Sequence, residues 1–198
     1  MKLLIGTKNS GKIAIYSEIL NKLGIEFLSL KDIDIDLDVE ETGNTTLENA
    51  ILKANAYYEV AKMPVLVNDS GLIIDKLKPE DQPGVLVRRF GGKEMTDEEV
   101  INVFSKKIEE VGGSSDAHFI VSLAVIDEKG ILHSKDFISP RYFITRPSEK
   151  VVKGLPLRSL DYSIKDQKYL SEMTIEEANA YEGDCILEQV EFIRNIFK

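Results

Sequence analysis

The 198 residues are 43% hydrophobic and 30% charged, a mixture that can bury a core and that excludes a disordered tail, a collagen-like rod or a disulfide-stapled mini-protein. Lys and Arg number 25 and Asp and Glu 34, so the net charge is −9, which repels a phosphate backbone and speaks against nucleic acid as a partner while leaving room for a small anion held by local cations and a metal. The one cysteine, Cys185, allows no internal disulfide, and no apolar run approaches the roughly 18 residues of a membrane span, so a cytoplasmic protein without a membrane partner is expected.

No repeat, low-complexity stretch or linker divides the chain, and a single domain over residues 1–198 is expected. Leu3-Leu4-Ile5 is a short apolar run that reads as a buried strand, broken between Gly6 and Gly11. From Lys12 the period changes: Ile13, Tyr16, Leu20 and Leu23 share a helical face, and Gly24 is a stop. Ile25 to Leu30 reads as a second strand. Residues 32–41 alternate acids with Ile33, Ile35, Leu37 and Val39, which predicts an edge strand or extended segment with one buried face. Thr45 and Glu48 form a capping box for a helix with the stripe Leu47, Ile51, Ala54, Tyr58 and Ala61; Asn49 and Lys53, one turn apart, share a different face, and Pro64 ends the helix. Val65 to Val67 is a buried strand that runs into Asn68-Asp69-Ser70-Gly71, after which Leu72 to Ile74 resumes the apolar run.

Residues 78–95 read as loop. Thr96 and Glu99 cap a third helix with Val100, Val103, Phe104, Ile108 and Val111 inward, closed by Gly112-Gly113. Residues 119–126 and 131–144 are strands joined by a hairpin at Glu128-Lys129-Gly130. Thr174 and Glu177 cap a short helix broken near Gly183, and Asp184 starts a last helix that buries Ile186, Val190, Ile193 and Phe197. Alternating helices and strands with a late hairpin give an α/β fold with a mixed sheet.

Three places in this pattern can carry chemistry. Thr7-Lys8-Asn9-Ser10-Gly11-Lys12 lies between a strand and a helix start, where outward N–H groups and the helix dipole favour an anion and two lysines add charge. It is not a Walker A loop, because Ile13 stands where Ser or Thr would follow Lys12; an ordinary turn capped by Asn9 or Ser10 is the plainer alternative. Asp69-Ser70-Gly71, at the end of a buried strand, can bind Mg²⁺ or take a proton from water, or can be a tight turn. Glu41, with Glu48, Asn49 and Lys53, offers a carboxylate for a hard cation and a lysine for a phosphate, or is the polar face of a capped helix. His118 and His133 lack metal-ligand spacing and read as structural or surface residues, and Cys185, with no partner base identifiable, reads as packing.

Taken together, Thr7-Lys8-Asn9 with Lys12, Glu41-Thr42-Gly43-Asn44-Thr45, Glu48-Asn49-Ala50 with Lys53-Ala54, Asp69-Ser70-Gly71-Leu72, Pro83-Gly84, and Arg89-Phe90 with Gly92 resemble the inosine/xanthosine triphosphate pyrophosphatase family over roughly residues 1 to 92. The resemblance implies an elongated mixed β-sheet with flanking helices, two lobes around a central cleft, and a homodimer. It implies hydrolysis of nucleoside triphosphates to monophosphate and pyrophosphate with Mg²⁺ as cofactor. By position it implies that Thr7, Lys8, Asn9, Lys12, Lys53, Ser70, Arg89 and Asp161 contact the substrate, that Glu41 and Asp69 hold the metal, and that Asp69 accepts the proton of water.

Two departures stand out. Asn68 replaces an acid that the family usually has before Asp69. Where the family has Gly-Phe-Gly-Tyr-Asp-Pro, the chain reads Pro156-Leu157-Arg158-Ser159-Leu160-Asp161-Tyr162, and Glu182-Gly183-Asp184 stands in place of Ser-His-Arg. The phosphate end is kept and the base end rebuilt, so an altered or relaxed base preference is expected. The alternatives are a nucleotide-binding protein with little catalysis and a pyrophosphatase for a different modified nucleotide.

Overall fold

The structure is a computed structural model that describes residues 2–198. Its sheet has five strands in the order β2-β1-β3-β4-β5: β1 (Lys2–Ile5), β2 (Glu26–Ser29), β3 (Val65–Ile74), β4 (Ser114–Ile126) and β5 (Leu132–Ile144). Four α-helices accompany it: α1 (Ser10–Lys22), α2 (Thr46–Ala61), α3 (Asp97–Glu110) and α4 (Ile175–Ile196). A two-stranded hairpin, β6 (Tyr162–Ser163) with β7 (Lys168–Tyr169), completes the fold. This is the mixed α/β class expected from the alternating pattern.

The chain forms two compact units. The first comprises residues up to Ser70, Val121–Phe137 and Leu187–Lys198. In it β1 pairs in parallel with β2, Leu4 opposite Leu28, and with β3, Leu4 opposite Val65 and Ile5 opposite Leu66. Its core is Leu4, Leu30, Ala50, Ala54, Tyr57, Val65, Val67, Ala124 and Ile126. Ile33, Ile35, Leu37 and Val39 pack against that core. The alternation at 32–41 therefore buries one face as expected, although residues 35–43 make no strand and follow a short 3-10 turn at Leu30–Ile33.

The second unit comprises Gly71–Ile120 and Ile138–Ile186. Its core is built from Leu72, Ile74, Met95, Val100, Phe104, Ile108, Phe143 and Leu160. α3 has the expected capping box, with Thr96 and Glu99 each bonding the other's backbone N–H, and Thr174 and Glu177 repeat the device before α4. The break foreseen at Gly183 is present: φ 50° and ψ −126° interrupt α4 there, a conformation that favours glycine.

Three expectations are corrected. β3 does not break at Asn68–Gly71 but runs unbroken through it, so Asp69 lies inside a ten-residue strand rather than at its end; strand pairing and burial override the turn propensity of Asn, Asp, Ser and Gly. On α2 the buried residues are Thr46, Asn49, Ala50, Ala54 and Tyr57, a face rotated from the predicted stripe. Asn49 thus lies on the buried side, because its amide finds a backbone partner there. In the last helix the buried positions are Cys185, Gln189 and Ile193 rather than the full predicted set; the Gln189 Oε1 accepts the Tyr16 hydroxyl at 2.9 Å, which satisfies an otherwise costly buried amide.

Candidate active site

β1 ends opposite Leu66, and Gly6 N–H donates to the Leu66 carbonyl at 2.8 Å before the chain turns away. β3 continues past that point, so Asn68 and Asp69 stand just beyond the carboxyl end of β1, where ligands collect in parallel sheets. Gly6 is required at the turn: a Cβ there would lie 2.8 Å from Val67 Cγ2 and 2.9 Å from Tyr57 Cδ2.

The turn itself is organised by Asn9. Its N–H donates to Thr7 Oγ1 at 3.2 Å, and its Oδ1 accepts from Gly11 and Lys12 N–H at 2.9 and 3.1 Å, capping α1. Two of the amides that the sequence offered to an anion are therefore taken by the cap. An anion placed here would be met mainly by side chains, Lys12 foremost. Lys12 Nζ donates to the Asn68 carbonyl at 3.3 Å and stands 4.0 Å from Asp69 Oδ1.

Glu41 is carried by the loop before α2, which is fastened at two points. Glu48 Oε2 accepts from Asn44 and Thr45 N–H at 2.6 and 3.2 Å, while Thr45 Oγ1 accepts from Glu48 N–H at 3.1 Å. Asn49 Oδ1 accepts from Gly43 N–H at 2.8 Å. The loop lies so close to the helix that a Cβ on Gly43 would sit 2.7 Å from both Asn49 Oδ1 and Glu48 Cβ. One turn beyond Asn49, Lys53 Nζ donates to Glu41 Oε1 and to Asp69 Oδ1, each at 2.8 Å. Asp69 is only 7% exposed.

The structure thus brings Lys12, Glu41, Lys53 and Asp69 together, with Thr7 and Asn9 on the adjoining turn. It does not bring Lys8 in: Lys8 donates to Asp36 Oδ1 at 2.6 Å on the open surface, and that bond raises its pKa. Ser70 follows Asp69 on β3 and so projects to the opposite face of the strand. Arg89, exposed in a 3-10 turn at Val87–Arg89, and Asp161 belong to the second unit.

The four charged groups balance, two cations against two carboxylates. The carboxylate oxygens of Glu41 and Asp69 converge on one cationic atom, and the Asn68 carbonyl faces the neighbouring lysine. Among the described residues no group of three or more His, Cys, Asp or Glu is placed to hold a metal. Two hard carboxylates without a closed cage fit Mg²⁺, which is held by one or two carboxylates with water and substrate phosphates making up the rest.

Asn68 has a role that sequence reasoning missed. Its Nδ2 donates to the Asp69 carbonyl at 3.1 Å and to the Ser122 carbonyl at 3.4 Å, bonds that a carboxylate cannot make. The Ser122 hydroxyl in turn donates to Asp136 and meets Thr46 Oγ1, each at 2.6 Å, tying β3, β4, β5 and the start of α2 together.

The second unit holds a buried ionic cluster in which the sequence pointed to Arg158, Asp161 and Glu182 but not to Arg141. Arg141 donates through Nη2 to Glu182 Oε1 at 2.8 Å, and its Nε lies 3.0 Å from Asp161 Oδ2 without forming an aligned hydrogen bond. Arg158 reaches Glu182 at 3.2 Å, and the Tyr181 hydroxyl donates to Asp161 Oδ1 at 2.7 Å. Burial pushes the Asp161 carboxyl up to about 7 against the opposing pull of Arg141 and Tyr181; burial and the neighbouring Asp161 push the Tyr181 hydroxyl up as well. The alternation Phe137, Ser139, Arg141, Phe143 along β5 places a guanidinium in a buried row, and that was the available signal.

A family model described as the Ham1 family matches residues 3–138, more than half of the chain. A dITP/XTP pyrophosphatase from Halalkalibacterium halodurans is 34% identical over 177 residues, 89% of either chain. One from Aquifex aeolicus is 50% identical over 99 residues, 48% of this chain and 46% of that protein. Among solved structures, a Ham1 protein from Staphylococcus aureus superimposes with a TM-score of 0.76 at 23% identity, covering 98% of this chain and 99% of that one. A HAM1 protein from Coxiella burnetii gives 0.74 at 26% identity over the same shares. The matched region contains Asn9, Lys12, Glu41, Lys53 and Asp69, and on these matches the chain belongs to the Ham1 family, which bears out the resemblance to the inosine/xanthosine triphosphate pyrophosphatases.

Proposed function

We propose that the protein is a Mg²⁺-dependent nucleoside triphosphate pyrophosphatase that releases monophosphate and pyrophosphate and has a relaxed or altered preference for the base. The observation that carries the reading is the cluster of Lys12, Lys53, Glu41 and Asp69, two cations and two carboxylates meeting beyond the carboxyl end of β1. When bound, Mg²⁺ supplies charge neutralisation at the phosphate oxygens. Glu41 and Asp69 hold it, Lys12 and Lys53 bind the triphosphate, and Thr7 and Asn9 orient it from the turn. Asp69 accepts the proton of the water that adds to the α phosphorus, and pyrophosphate leaves. Lysines beside the departing group stabilise the charge it takes on. Relatives that act on dITP and XTP by name support the substrate class.

The base preference is argued from the second unit. Arg141 is ion-paired with Asp161 and Glu182, and Arg158 with Glu182, and Glu182 stands where the family resemblance implies a base-reading segment. Asp161 acts there by holding Arg141. Guanidiniums already engaged by carboxylates have little left for a base edge, and discrimination depends on buried groups that the wrong base leaves unpaired. A cytoplasmic homodimer is part of the same reading, on the resemblance, and light scattering on the purified protein checks the dimer.

The decisive experiment incubates the protein and Mg²⁺ with inosine, xanthosine and the four standard triphosphates and identifies products. Monophosphate with pyrophosphate is expected, with kcat/KM values within about tenfold across purines. Release of inorganic phosphate alone would overturn the reaction, and a preference above a hundredfold would overturn the relaxed specificity. Asp69→Asn should lower kcat by at least about a thousandfold with an unchanged circular dichroism spectrum, the scale of losing a general base together with a metal ligand.

A further inference from the structure

Lys53 Nζ lies 2.8 Å from Glu41 Oε1 and 2.8 Å from Asp69 Oδ1, on a side chain that is 13% exposed. Its ammonium therefore occupies the point at which oxygens of both carboxylates converge, which is also where a divalent cation held by that pair belongs. The two cannot share the place, because like charges a few ångströms apart in a partly buried site repel strongly. Lys12, 4.0 Å from Asp69, adds to the positive potential. Without Lys53, two largely buried carboxylates would face each other with that counter-ion gone, a costly arrangement. With a metal in place, the displaced ammonium needs another anion, and a bound phosphate supplies one.

Resting on the reading that Glu41 and Asp69 hold the metal, we propose that Lys53 is an intramolecular counter-ion that keeps the metal place between these carboxylates and yields it when a divalent cation and a triphosphate arrive together. Metal and nucleotide binding are then coupled through Lys53, in both directions. An enzyme so built holds metal weakly until its substrate is present.

Calorimetric titration of the full chain with MnCl₂, with and without a non-hydrolysable imido triphosphate, tests this. Lys53→Met should bind Mn²⁺ alone at least about tenfold tighter than the wild type, and the nucleotide should enhance that affinity less than it does in the wild type. Lys53→Arg, which keeps the charge, should remain close to the wild type. Equal or weaker Mn²⁺ affinity in folded Lys53→Met, with Glu41→Gln still abolishing binding, would overturn the counter-ion role while leaving the metal assignment standing. Unchanged Mn²⁺ binding in Glu41→Gln would overturn both. Should Lys53→Met unfold in chelator, recovery of its circular dichroism with Mn²⁺ supports the proposal, and failure to recover at saturating Mn²⁺ contradicts it.

Discussion

At the scale of single residues, Asn68 shows how a change that looks like a loss can be a local fit. Its Nδ2 is aimed at two carbonyl oxygens, those of Asp69 and Ser122. A carboxylate there sets oxygen against oxygen in a buried strand. Asn68→Asp should therefore lower stability by about 1–3 kcal/mol, the usual cost of buried polar groups left unpaired. Melting curves in chelator check this; equal wild-type and variant curves would show that the side chain turns away from the carbonyls. That Asp69, Glu41 and Lys53 belong to one group is legible in the sequence through the order and spacing that carry the family resemblance. The grip of Lys53 on both carboxylates is not, since it depends on a distance between chain segments rather than on any local pattern.

At the scale of elements, the capping boxes at Thr45, Thr96 and Thr174 are readable from the sequence because each is made within a few residues. The continuity of β3 is not. Asn68 to Gly71 carries turn-forming residues, and only the pairing of the strand with its neighbours keeps it extended. The face of α2 is misjudged for a related reason: periodicity counts apolar residues, whereas Asn49 is buried to bond a backbone amide. That bond makes Gly43 a point of control for the loop that bears Glu41. A methyl group at Gly43 meets Asn49 Oδ1 and Glu48 Cβ at 2.7 Å, closer than real contacts come. Gly43→Ala should push the loop off α2, cost about 1–3 kcal/mol as overpacking does, and weaken metal binding by moving Glu41. A melting temperature and Mn²⁺ affinity both equal to the wild type would mean that the loop shifts without carrying Glu41 with it.

At the scale of the whole molecule, charge sets two opposing dependences of stability on pH. Several surface or partly buried carboxylates are held below their ordinary range, Asp36 by Lys8, Asp81 by Lys107, Asp127 by His133 and Glu99, drawn down to about 2, by Lys93 and the Thr96 N–H. Their contribution is present above the ordinary carboxylate range and fades as pH falls through their lowered values. Asp161 has the opposite sign. Burial raises its carboxyl to about 7 although Arg141 and Tyr181 favour the charged form and Arg158 helps them, with Glu182 opposing. The folded state then binds the proton more tightly than the unfolded chain, so stability from this group is greatest at acid pH and declines between about pH 4 and 7. Asp161→Asn keeps the shape and still accepts the Tyr181 hydroxyl, but it has no proton to lose. Its melting temperature should therefore rise relative to the wild type as pH goes from 5 to 8, at about 1.4 kcal/mol for each unit by which the carboxyl is raised. The comparison cancels the histidines and these other acids, which both proteins share. A wild-type-to-variant difference that stays flat from pH 5 to 8 would mean that the guanidinium of Arg141 keeps Asp161 ionised throughout, and that the buried cluster is a closed set of charges at every pH in that range.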